Sequence, residues 1–160
     1  MKTKVLLICS VFSFLISCNF NVAGTLGGGK IYRYNCTEEK LNEYLDSIEK
    51  NDNALKIPLE WKKYDNWDTI GYDFLKGKLF YIKGHDSNDD EIYYVSVIPP
   101  IAKLEKNPGV AVRSVFRTKE YLLGWKYFED FSRSKKRAIE TEFQERVLSK
   151  VPLDIVSVDK

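Results

Sequence analysis

Histidine is nearly missing from this chain of 160 residues: His85 is the only one. A metal centre built on several histidines is therefore excluded. Cysteine is scarce as well, and three residues, Cys9, Cys18 and Cys36, do not make a disulfide framework. No apolar run reaches the roughly 20 residues needed to cross a bilayer as a helix; the longest, Val5 to Ile16, has the length of a signal-peptide hydrophobic region. Charge of one sign is also lacking. The chain carries 25 Lys+Arg against 23 Asp+Glu, without the basic excess that marks a nucleic-acid binder. What the chain does have is apolar and aromatic content, 44% and 14%, which excludes disorder for its bulk.

The most specific local pattern is Leu15-Ile16-Ser17-Cys18, which closes the apolar run that follows Lys2 and Lys4. It resembles the lipobox of bacterial lipoproteins. That resemblance implies a diacylglycerol on the Cys18 thiol, cleavage before Cys18 and usually acylation of the new amine. It makes residues 1–17 a signal peptide and the lipid on Cys18 the partner of a membrane. One acyl chain binds a bilayer only marginally, whereas two or three on one residue hold it stably. Lys2 and Lys4 leave with the signal peptide and no acid does, so the mature chain carries 23 cations and 23 anions. Asn19 follows the cysteine where aspartate resembles an inner-membrane retention signal. The expected location is thus the bacterial cell envelope, at the outer membrane and facing the periplasm, with surface display left open.

Residues 18–29 read as the lipidated cysteine and a glycine-rich tether with a root-mean-square reach of about 18 Å. Residues 30–160 read as a single domain, large enough to fold without a covalent staple. Lys30 to Asn35 alternates as a short strand. Thr37 is an expected N-cap, with Glu38 and Glu39 at the positive end of a helix and Leu41, Tyr44, Leu45 and Ile48 along its inner face. Tyr72 to Leu75, a Lys76-Gly77 turn and Leu79 to Ile82 suggest a hairpin. Glu91 to Ile98 is a strand stopped by Pro99-Pro100. In Val110 to Arg117, the alternation sets Val110, Val112 and Phe116 on one face and Arg113 and Arg117 on the other. Ile139, Phe143 and Val147 mark a C-terminal helix, and Leu153 to Val158 reads as an edge strand or a loose tail. The expected class is α+β: an antiparallel sheet of four to five strands, polar on one side, with the N-terminal and C-terminal helices on the other face.

Several patterns fail on their own chemistry. Gly24 to Lys30 matches the first seven positions of a P-loop, but Ile31 has no hydroxyl for magnesium and no helix follows. Asp86-Ser87-Asn88-Asp89-Asp90 begins like a calcium loop, but Glu91 stands where glycine is needed and Val97 where glutamate is needed. Cys36 precedes a helix start, a placement that can lower a thiol pKa, yet a free cysteine most often fills apolar space. A Cys36–His85 nucleophile pair has no surrounding signature. No metal, cofactor or catalytic set is expected. Arg133, Lys135, Lys136 and Arg137 read as a solvated helix face, with attraction to an anionic membrane as the alternative.

The aromatics carry more weight. Trp61, Tyr64 and Trp67 are spaced three apart, and Trp125 lies in a second aromatic stretch with Tyr121, Tyr127 and Phe128. Tyr and Trp are enriched at interface hot spots, so Trp61, Tyr64, Trp67 and Trp125 are the expected binding residues. The expected function is a membrane-anchored envelope lipoprotein that acts as a non-catalytic protein-interaction module, of accessory or immunity type, with a protein partner and no nucleic acid or nucleotide. The alternative is an envelope glycan-binding protein or a glycan hydrolase using carboxylates such as Glu60, Asp65, Asp68 or Asp73. A buried carboxylate pair in a cleft would favour that alternative.

Overall fold

Two serine/threonine caps set the helices. The Thr37 hydroxyl accepts from the Lys40 N–H at 3.3 Å and opens α1 (Glu38–Asn51), with Glu38 and Glu39 in its first turn. Ser132 does the same for Lys135 and opens α2 (Arg133–Arg146). The computed structural model describes residues 28–65, 77–84, 89–100 and 106–159. The sequence expectations at Cys18, Trp67, Asp68, Asp73 and His85, and the first arm of the expected hairpin, lie outside those residues.

The strands are β1 (Ile31–Tyr34), β2 (Gly77–Ile82), β3 (Glu91–Ile98), β4 (Gly109–Arg117), β5 (Trp125–Tyr127) and β6 (Ile155–Asp159). They form one antiparallel sheet in the order β2-β3-β4-β1-β6, with β5 also paired to β4. β4 is long enough for two partners along one edge: β1 takes its start (Tyr32 opposite Val110) and β5 its end (Phe116 opposite Trp125). Leu41 and Leu45 of α1 and Ile139 and Phe143 of α2 enter a single core with Tyr32, Tyr34, Phe80, Tyr93, Val95 and Val110. Both helices therefore lie on the same face, and the class is α+β, with six strands among the described residues. Among the described residues no helix is long and apolar enough to cross a membrane.

The alternation expected in β4 breaks at a bulge. Tyr94 is opposite Ser114 and Val95 opposite Val112, so Arg113 has no residue across from it. Val110 and Val112 face the helices, but after the bulge that face continues with Val115. Phe116 turns to the other side, into a second cluster with Leu79, Ile92 and Tyr94. Arg113 also turns there and donates to the Ser96 hydroxyl at 2.6 Å. The sheet is consequently not one-sided: β3 is buried from Glu91 to Val97 and β4 from Gly109 to Phe116.

Gly77 is a strand residue opposite Ser96, not part of a turn, and the Tyr94 ring occupies the space a Cβ would need. The packed chain also starts before Lys30. The Gly29 N–H donates to the Val112 carbonyl at 2.9 Å, and a Cβ on Gly29 would meet the Phe128 ring at 3.2 Å.

Candidate functional site

The second face of the sheet is roofed by a short 3-10 helix, Leu59–Tyr64. Pro58 fixes its entry, and its three-residue turn sets Trp61 and Tyr64 on one side. The Trp61 ring lies 5.9 Å from those of Tyr64 and Phe116 and 6.2 Å from that of Tyr121. Tyr64 is 4.5 Å from Phe116, and Trp125 is 5.6 Å from Phe116. The Trp125 indole N–H donates to the Tyr64 carbonyl at 3.0 Å, locking the two segments together. The structure thus brings Trp61, Tyr64 and Trp125 into one half-buried aromatic layer.

The fully projecting side chains around this layer are leucines that sequence reasoning passed over. Leu59 is 81% exposed, Leu122 85% and Leu123 78%, and Tyr121, which contacts Trp61, is 43% exposed. Tyr121 to Leu123 lie in a 3-10 segment, Thr118–Leu123, that joins β4 to β5 and ends at Gly124, whose φ of 70° suits only glycine readily. The base of this segment is held firmly. The Thr118 hydroxyl and the Lys119 N–H donate to Asp89 at 2.8 and 2.9 Å, and Arg117 pairs with Glu120 at 2.6 Å. Its leucine tip makes a projecting apolar ridge beside the aromatic layer. The signal in the sequence was Leu122-Leu123-Gly124, two large apolar residues directly before a turn glycine, with no polar alternation to turn one of them inward.

A polar pocket of about 270 Å³ lies at the end of the sheet, among β3, β4 and α2. Glu91 lines it and is only 5% exposed. Its carboxylate lies 2.5 Å from the Lys135 ammonium and 3.6 Å from Arg117 Nε, and it accepts from the Tyr93 hydroxyl at 3.2 Å. Burial, then the Glu91 charge, push the Tyr93 phenol above its ordinary value. Asp89 and Glu142 also line the pocket. One oxygen on each of Asp89, Glu91 and Glu142, and Arg117 Nε, is buried without a well-aligned hydrogen bond. No group of three or more potential ligands that could hold a metal is found among the described residues. The carboxylates expected from sequence are elsewhere: Glu60 and Asp65 are exposed, on or beside the Leu59–Tyr64 segment. Cys36 is partly buried, and burial raises its thiol despite the Leu41 N–H, opposite to the lowering that a helix start can give.

No protein-family model, no curated protein and no solved structure matches this chain.

Proposed function

We propose that the protein is a lipid-anchored lipoprotein of the bacterial cell envelope that works by binding a protein partner, through the ridge of Leu59, Tyr121, Leu122 and Leu123 on the aromatic layer of Trp61, Tyr64 and Trp125. The anchor rests on Leu15-Ile16-Ser17-Cys18. The observation that supports binding is the exposure of Leu59, Leu122 and Leu123, the last two on a segment anchored at Thr118 and Lys119; large exposed apolar side chains cost solubility. Flanking tryptophan and tyrosine supply the kind of side chain that dominates interface energies.

The test separates the ridge from the fold. Leu122→Asp and Leu123→Asp, in the full-length chain, are expected to leave the thermal midpoint within a few degrees of the parent and to reduce capture of a specific partner by at least tenfold in quantitative pull-downs. Capture undiminished in both variants rules the ridge out. Mass spectrometry of the mature N-terminus checks the anchor separately: an acylated Cys18 is the expected species, and an unmodified one removes the lipoprotein reading.

A second reading is favoured by one observation, the pocket lined by three carboxylates, of which those of Asp89 and Glu91 are buried. It is the glycan-binding or glycan-hydrolase alternative, with Asp89, Glu91 and Glu142 in place of the residues expected from sequence. Glycan turnover or glycan affinity lost in Glu91→Gln and retained in Leu122→Asp selects it over the ridge.

A further inference from the structure

α2 opens with a run of cations that the fold sorts onto two faces. Lys135 turns to Glu91 at the end of the sheet. Arg133, Lys136 and Arg137 share another face, at the three- and four-residue spacing that aligns helix side chains, and both arginines are exposed. Lys126 of β5 is exposed as well, with its ammonium 4.8 Å from the centre of the Phe131 ring, just ahead of the helix. None of these four cations makes an ion pair among the described residues, whereas Lys30, Arg33, Lys78, Arg117 and Lys150 each do. The first turn of α2 holds no acidic residue, so its cations oppose the helix dipole at a cost to the fold. α1 has the opposite arrangement, with Glu38 and Glu39 in its first turn.

The same helix face borders the point where the chain enters the fold. The Lys30 N–H donates to Glu140, one turn beyond Lys136, at 3.1 Å, and the Lys30 ammonium pairs with that carboxylate. A Cβ on Gly29 would meet the Phe128 ring at 3.2 Å, and the Lys136 ammonium lies 5.8 Å from the centre of that ring. Cys18 precedes Gly28 by ten residues in the sequence, and ten residues span at most about 36 Å. A domain of this size has a radius of gyration of about 14 Å, equivalent to a sphere of about 18 Å radius. A chain led from the entry point to a bilayer on the opposite side of such a sphere would need about 45 Å. An acylated Cys18 therefore keeps the entry side of the domain toward the bilayer.

We infer that the face of Lys126, Arg133, Lys136 and Arg137 rests on anionic phospholipid in the membrane that holds the anchor, its cations pairing with headgroup phosphates. The inference builds on the lipid anchor proposed above. Charge complementarity selects the occupant: clustered lysines and arginines beside a membrane attachment are drawn to an anionic leaflet. The opposing charges nearby are Glu129 and Asp130, exposed between Lys126 and Arg133, so four cations against two anions leave a local excess of positive charge on a chain that is otherwise balanced. The contact fixes which side of the domain faces the lipid.

Lysine footprinting on reconstituted protein reads this contact. The full-length chain, acylated in the cell and purified in detergent, is placed in vesicles of phosphatidylcholine alone or of equimolar phosphatidylcholine and phosphatidylglycerol. It is then labelled with a membrane-impermeant amine reagent. At low salt, Lys126 and Lys136 are expected to label slower by about threefold or more on the anionic vesicles than on the neutral ones. The exposed Lys50, Lys56 and Lys62, which border a groove beside Leu79 of β2, are the internal reference and should label equally on both. Salt at about 0.5 M, where the Debye length falls to about 4 Å, should remove the protection. Arg133→Glu combined with Arg137→Glu should remove it too. Glutamate near a helix start suits the dipole, so this variant is expected to match or exceed the thermal midpoint of the parent. Equal labelling on both vesicles, protection that survives the charge reversal, or protection of Lys50, Lys56 and Lys62 in place of Lys126 and Lys136 would each overturn the inference. An unmodified Cys18 in the mass spectrum removes the anchor and this inference with it, whereas an acylated chain without the protection pattern removes the inference alone. None of these readouts depends on partner capture at the leucine ridge.

Discussion

Glu49 shows how one residue is held to its identity by what it touches. Its carboxylate caps the Leu79 N–H at the sheet edge, and burial raises its pKa even though that N–H and Lys78 pull it down. The folded protein therefore holds the Glu49 proton more tightly than the unfolded chain does. The stability this contributes is fully present below the ordinary glutamate range and is lost as pH rises through the raised folded value. Glu49→Gln keeps an acceptor for Leu79 and removes the charge. Its thermal midpoint should exceed that of the parent at pH 7, and the gap should close as pH falls to about 4, near the unperturbed carboxyl value. A gap independent of pH in thermal melts would mean that packing, not ionisation, governs the site. None of this was legible in the sequence, where Glu49 is one acid among many on a helix whose inner face is marked by Leu41, Tyr44, Leu45 and Ile48.

At the scale of elements, legibility followed the periodicity. Both helices were readable because Leu41 and Leu45, and Ile139 and Phe143, recur at four residues, and Thr37 marked the start of the first; the Ser132 cap of the second was not read. The β6 edge strand was readable only as one of two choices, since five residues of alternating valine carry no statement of a pairing partner. The bulge at Arg113 was not readable, because one inserted residue reverses every later side chain without altering composition. It moved Phe116 from the helix core to the aromatic layer, and so changed what Trp61 and Trp125 are: half-buried supports, with the projecting contacts passed to leucines. That reassignment is measurable. Phe116 is fully buried, so Phe116→Ala should cost about 3–5 kcal/mol in denaturant unfolding. Trp61→Ala removes three ring contacts and should also destabilise, by about 1–3 kcal/mol, so it is a poor probe of binding alone. A Phe116→Ala protein as stable as its parent would mean that the aromatic layer adds nothing to the fold.

At the scale of the whole molecule, an expected lipid anchor raises the question of where the linker stops and the domain starts. Glycine density alone sets that boundary after Gly29, because a run of glycines reads as flexible coil. The contacts set it earlier. The Gly29 N–H extends the β1–β4 pairing by one bond to Val112, the Phe128 ring packs over Gly29, and a Cβ on Gly28 would meet the Arg113 guanidinium at 2.8 Å. These two glycines are there because β4 and its bulged arginine approach the backbone closely, a second use of glycine that composition cannot tell from flexibility. A chain begun at residue 28 and one begun at residue 30 should therefore differ. The shorter one leaves the Val112 carbonyl unpaired and uncovers Phe128, a loss of about 1 kcal/mol for the hydrogen bond. That corresponds to a thermal midpoint lower by about 3–5 °C for a domain of this size. A chain begun at residue 20 should melt like the one begun at 28, since the glycine-rich sequence before residue 28 reads as a tether. Equal midpoints for the 28 and 30 starts would return both glycines to the tether, and the lipid would then be joined to a domain that begins at Lys30.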